Sequence, residues 1–106
     1  MRLFMYAIYD SCSGVYDRPF CMQADPAAVR AFSDLATDRD HPIGKHCEHY
    51  SLYRIGTFDD NKAVIEPEDA ICIARGHELA AQARAMAAVP ELDKDGYPLH
   101  AVGGTD

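Results

Sequence analysis

Residues 2–10 place apolar side chains on both sides of an extended chain, with Leu3, Met5, Ala7 and Tyr9 on one face and Phe4, Tyr6 and Ile8 on the other. Period-two alternation of bulky groups predicts a β-strand, and one that is apolar on both faces needs a cover on each. Asp10-Ser11-Cys12-Ser13-Gly14 supplies turn residues, after which Val15 to Met22 resumes the extended pattern, so the two segments predict a β-hairpin. Pro19 cannot donate a ladder hydrogen bond, which puts the second strand at an edge or interrupts it there.

Asp25-Pro26 reads as a helix start, the carboxylate capping free N–H groups and the proline filling the first helical position. The helix is expected from Pro26 to about Thr37, with Ala28, Val29, Phe32, Leu35 and Ala36 on the core side. Residues 38–48 read as a loop. From Tyr50 to Phe58 the alternation is again that of a strand, setting Tyr53, Ile55 and Thr57 against Leu52, Arg54, Gly56 and Phe58. Asp59 to Lys62 forms a turn, and Ala63 to Glu66 returns as a strand stopped by Pro67. A short strand at 70–75 and a helix from His77 to Ala88 follow. Leu79, Ala83 and Met86 mark a narrow apolar stripe on that helix, suited to docking on the sheet or on another subunit. The expected fold is a single α+β domain over residues 1–89: a small antiparallel sheet from two hairpins, one helix between them and a C-terminal helix. Residues 90–106 read as a flexible tail.

Composition narrows the function. The chain has 106 residues, 48% hydrophobic and 25% charged, which suits one modest core and no large cofactor-binding architecture. The apolar start is too short for a membrane span and lacks a signal-peptide pattern, so an intracellular protein is expected. The four cysteines lack Cys-x-x-Cys spacing and are too sparse for a disulfide scaffold. His46-Cys47-Glu48-His49, with His41 nearby, is the densest reactive cluster, but adjacent His and Cys cannot readily face one ion, so it reads as a polar loop. A thiol enzyme would need a base and an orienting group that cannot be placed beside Cys47 from sequence. No catalytic residue, metal or cofactor is assigned.

The net charge of −7 opposes nonspecific attraction to nucleic acid. Its distribution is uneven: residues 60–106 carry −5 and residues 1–59 only −2. Phe4, Tyr6, Tyr9, Tyr16, Phe20, Tyr53 and Phe58 all fall on expected strands, accompanied by Arg2, Arg18 and Arg54. Aromatics on a sheet usually build a core; beside arginines they can also stack unpaired bases while the cations hold phosphates.

The segments Tyr6-Ala7-Ile8-Tyr9-Asp10, Pro19-Phe20 and Ala28-Val29-Arg30-Ala31-Phe32-Ser33-Asp34 precede a longer one, Lys45-His46-Cys47-Glu48-His49-Tyr50-Ser51-Leu52-Tyr53-Arg54-Ile55-Gly56-Thr57-Phe58-Asp59-Asp60. In order and spacing this resembles the small nonstructural protein of gokushovirus-type microviruses, phages with circular single-stranded DNA genomes. The resemblance spans roughly residues 3–67 and departs at Cys47, where the family commonly has proline, and at His49, where it commonly has aspartate. It implies a nonstructural protein in the host cytoplasm that binds single-stranded DNA during replication or the switch to single-strand synthesis and packaging. The residues expected to contact DNA are Arg2, Tyr6, Arg18, Lys45, Tyr53 and Arg54, with tyrosines stacking bases and cations meeting phosphates. A homodimer is expected as well, because one helix hardly covers both faces of the sheet, and no membrane contact is expected; the alternative is a dimeric module that binds a phage or host protein without DNA contact.

Overall fold

A computed structural model describes residues 1–88; the expected tail at 90–106 lies outside them. Strand β1 (Arg2–Asp10) is followed by β2 (Val15–Tyr16), β3 (Phe20–Met22), α1 (Asp25–Ala36), the one-turn α2 (Pro42–Lys45), a 3-10 turn (Cys47–His49), β4 (Tyr50–Asp59), β5 (Val64–Arg75) and α3 (Gly76–Ala88). The strands form one antiparallel sheet in which β1 lies between β2 and β3 on one side and β4 on the other, with β5 beyond β4. This is the α+β arrangement of two hairpins and intervening helix that the alternation predicts, with three α-helices among the described residues in place of two.

Pro19 has the expected effect. Val15 and Tyr16 pair with Asp10 and Tyr9, pairing lapses, and Phe20, Cys21 and Met22 pair with Tyr6, Met5 and Phe4. Pro67, by contrast, does not end its strand: β5 runs through it and absorbs the expected segment at 70–75. The reason is position. Among the described residues β5 is the outer strand, and an edge strand tolerates the proline that an inner one excludes. Opposite the proline sits Gly56, where an added Cβ would fall 2.5 Å from the Glu66 carbonyl oxygen and 3.2 Å from Pro67 Cα. Glycine is what lets the two backbones approach there.

The alternation expected along β4 fails at one residue. Tyr6 pairs with Arg54 and Met5 with Gly56, so Ile55 is an extra residue, a β-bulge that reverses the phase. Leu52, Arg54 and Thr57 consequently share the face of Phe4, Tyr6 and Ile8, while Tyr53, Gly56 and Phe58 share that of Leu3, Met5, Ala7 and Tyr9.

The first of these faces carries the helices. Tyr6, Ile8 and Leu52 pack with Ala28, Phe32 and Ala36 of α1 and Ile43 of α2 into the core. Phe32 is 1% exposed, and burying a side chain of this size is worth roughly 1.5–3 kcal/mol. Helix α1 starts one residue before its expected position: Ala24 is the N-cap and makes no side-chain capping bond, so Asp25 is the first helical residue and not the cap. Its carboxylate is committed to the sheet. In the expected loop, His41 caps α2 by accepting the Ile43 N–H on Nδ1 at 3.1 Å. Helix α3 docks through Leu79 and the buried Ala80, whereas Met86, also on the expected stripe, is 76% exposed. Gly76, at the β5–α3 junction, permits close passage over the 3-10 turn, since a Cβ there would lie 2.5 Å from the Cys47 carbonyl oxygen.

Candidate nucleic-acid interface

The structure divides the six expected contact residues between the two faces of the sheet. Tyr6 is 0% exposed, stacks on Phe20 with ring centroids 5.7 Å apart, and donates its hydroxyl to Asp25 Oδ1 at 2.7 Å. Burial first, and then the Asp25 carboxylate, push the Tyr6 hydroxyl well above its ordinary pKa. A ring enclosed in this way has no face on which a base can stack. Arg54 lies beside it, donating from one terminal nitrogen to Asp25 Oδ2 at 2.8 Å and lying 3.3 Å from Glu68 Oε1 through Nε, with its guanidinium 5.3 Å from the Phe4 ring centroid. Burial works against its charge, but the two carboxylates outweigh it and raise its pKa. Tyr6, Asp25 and Arg54 thus form a clamp that ties the start of α1 to β1 and β4.

Arg2 is on the same face near the sheet's opposite end, where it donates to Thr57 Oγ1 at 3.4 Å and Glu66 Oε1 at 3.2 Å; its side chain remains 65% exposed. An exposed pair of this kind is weak and exchangeable. Lys45 is exposed at the end of α2. Arg18 is exposed between β2 and β3 and makes no ion pair among the described residues.

Tyr53 faces the other way. Its ring meets those of Tyr9 and Tyr16 at 6.0 and 5.5 Å, both edge-on, and Tyr9 meets Tyr16 at 4.8 Å. Cross-strand pairing brings the rings together: Tyr16 is opposite Tyr9, and Tyr53 is opposite Ala7, beside Tyr9. Tyr16 is 45% exposed and the other two are half-buried. Desolvation, followed by the neighbouring Cys72 and Tyr16, raises the Tyr53 hydroxyl pKa, with Arg75 acting in the opposite direction. Arg75 pairs across to Ser51, itself opposite Tyr9, which places this cation beside the rings. Among the register positions of β1, β4 and β5 on this face, none is Asp or Glu. The face continues toward the other end as Leu3, Met5, Phe58 and Ile65, the last 59% exposed.

Sequence reasoning therefore picks out Tyr53 but leaves Tyr9, Tyr16 and Arg75 off the list of contact residues. Tyr9 and Tyr16 sit symmetrically about the Ser11–Gly14 turn, and that spacing is a signal that they pair. Arg75 has no such signal, because its register depends on two irregularities in β5, opposite Leu52/Tyr53 and Arg54/Gly56.

In the His/Cys segment, the His46 and His49 rings are 6.4 Å apart, His49 Nδ1 lies 3.5 Å from Ser11 Oγ, and His49 Nε2 lies 3.8 Å from Glu48. Among the described residues no group of three or more His, Cys, Asp or Glu side chains is arranged to hold a metal ion. No helix among them is long and apolar enough to cross a membrane.

The fold and its open aromatic face define a small α+β protein in which the helices among the described residues lie on one side of the sheet. The chain belongs to the Phage ORF5 protein family, which matches residues 3–79 and so takes in the sheet from Leu3 onward and the start of α3. No curated protein and no solved structure matches it.

Proposed function

We propose that this phage protein binds single-stranded DNA on the open face of its sheet and acts in genome replication or in the switch to single-strand synthesis and packaging in the host cytoplasm. The observation that carries this reading is the cluster of Tyr9, Tyr16 and Tyr53 on a face whose paired strand positions include no carboxylate, with Arg75 beside it. Tyrosine rings stack bases of any sequence at about 1–3 kcal/mol each, and Arg75 and Arg18 supply charge for the phosphates. The resemblance to microvirus nonstructural proteins and the membership in a phage family support the setting; the tyrosines support the chemistry. The role is one of binding, with no catalytic residue.

Fluorescence anisotropy of a labelled single-stranded oligonucleotide, at low and moderate salt, tests it. Binding should weaken as salt rises, and Tyr53→Ala and Arg75→Gln should each reduce affinity by about fivefold or more. No anisotropy change at low salt would sink the reading.

A second reading rests on Leu3, Met5, Phe58 and Ile65, which make the far half of the same face aliphatic. Apolar surface of this kind suits a protein contact, either a second copy or a phage or host protein. Light scattering distinguishes the two uses: a dimer that dissociates in a Phe58→Ser, Ile65→Ser variant without loss of oligonucleotide binding assigns the two halves to different partners.

A further inference from the structure

On the helix-bearing side, away from the tyrosines, α1, α2 and α3 leave a cleft of about 200 Å³. Its floor is alanine from α1 and α3, and its polar lining comes from Thr37, Arg39, Gly44, Cys47 and Arg84. Among the described residues no Asp or Glu lines it. Arg39 and Arg84 reach it from the α1–α2 connection and from α3, both are exposed, and neither makes an ion pair among the described residues. Asp38, next to Arg39 in the chain, turns its carboxylate onto the backbone N–H of Asp40 at 2.9 Å. The Thr37 hydroxyl donates to the Ser33 carbonyl at 2.8 Å, so recognition in the cleft falls to the two guanidinium groups.

We propose that this cleft is an oxyanion site that takes a phosphate group between Arg39 and Arg84. Two arginines that line one small cleft bring like charges to it, and an anion between them turns that repulsion into two charge-assisted contacts. Guanidinium forks match phosphate oxygens in geometry as well as charge. The volume falls below the roughly 300–1,000 Å³ of drug-sized pockets, which favours a single phosphate group with its waters over a whole nucleotide. The group can come from the backbone of a DNA strand or from a free phosphate, and the site stands independently of the tyrosine face.

The test is an amide NMR titration of the full chain with inorganic phosphate, against chloride at equal ionic strength, repeated with a single-stranded oligonucleotide. Saturable shifts at Gly44 and Cys47 are expected, weakened about tenfold or more in Arg39→Gln, Arg84→Gln and unchanged in Tyr53→Ala. Both substitutions fall on exposed side chains, so an unchanged spectrum elsewhere certifies the fold. If the oligonucleotide competes with phosphate at Cys47, the group comes from DNA; if it leaves Gly44 and Cys47 unmoved while phosphate saturates, the site serves a free phosphate. No saturable shift with either ligand, or equal shifts in the double variant, overturns the proposal.

Discussion

Replacing Asp25 by alanine removes the acceptor at the centre of the Tyr6–Asp25–Arg54 clamp, and its cost follows from the geometry. Tyr6 is fully buried, and Asp25 is the one hydrogen-bond partner of its hydroxyl among the described residues. Leaving a buried hydroxyl without a partner costs roughly 1–3 kcal/mol. A carboxylate lost from the first turn of α1 adds about 0.3–1 kcal/mol through the helix dipole. In a domain of this size each kcal/mol moves the melting temperature by about 4–8 °C, so Asp25→Ala should melt on the order of 10 °C lower. Tyr6→Phe removes the donor along with its need for an acceptor and should cost only about 0.5–1.5 kcal/mol. The two effects therefore should not add: in the Tyr6→Phe background Asp25→Ala should cost less, with a coupling of about 1–2 kcal/mol in urea denaturation. Asp25→Asn, which keeps an acceptor oxygen, should recover part of the loss. Additivity within about 0.5 kcal/mol would refute the clamp. The same variant frees Arg54 from one of its two carboxylates on the helix-bearing face, and oligonucleotide affinity should stay unchanged; a tighter complex would return Arg54 to the DNA interface.

Three further outcomes are expected. The raised Tyr6 pKa means that the unfolded chain loses this proton first, near its ordinary value of 10.0, so stability holds below that pH and falls as pH climbs toward the folded value. Urea midpoints measured across that range should decline less steeply in Tyr6→Phe, and equal slopes would count against the burial of this hydroxyl and its bond to Asp25. Gly56→Val should cost roughly 1–3 kcal/mol and speed amide exchange over residues 64–66, because its Cβ meets backbone of β5 rather than a side chain that can turn aside. Wild-type exchange rates there would place β5 elsewhere. Leu79→Ser should lower the melting temperature while Met86→Ser stays within about 0.5 kcal/mol of wild type; equal losses would show that α3 docks along its whole stripe.

Local pattern made the outline of the fold legible. Alternation in residues 2–10, the proline at 19 and the period of Ala28, Phe32 and Ala36 each describe a choice that a few neighbouring residues settle, and the hairpin and α1 follow from them. Ile55 shows where this ends. Alternation fixes side-chain direction only while each residue has one partner, and a bulge is decided by what lies across the strand, so Thr57 and Phe58 exchanged faces without any change in local pattern. Pro67 is a similar case: its effect depends on whether its strand lies inside the sheet or at the edge, a fact of topology. The candidate site suffered most from this. Tyr6 and Tyr53 look alike along the chain, and what separates them is the face α1 chose, enforced by an Asp25 whose sequence context reads as a helix cap.

Net charge raises the strongest objection to a polyanionic partner, and the fold changes its weight. Several of the carboxylates are held in place. Asp10, Asp17, Asp38 and Asp59 accept backbone N–H groups within their own turns, while Asp25, Glu66 and Glu68 pair with Arg54 and Arg2 on the helix-bearing side. A strand lying on Tyr9, Tyr16 and Tyr53 has the thickness of the sheet between it and that second group. At physiological salt, charges separated by more than about 8 Å are largely screened. Repulsion summed over the chain therefore overstates what a phosphate beside Arg75 would meet, and the turn carboxylates next to Tyr9 and Tyr16 in the chain, Asp10 and Asp17, are the ones whose neutralisation should raise affinity. If Asp17→Asn leaves oligonucleotide binding and its salt dependence unchanged, charge does not govern access to this face, and stacking alone must account for whatever affinity is measured.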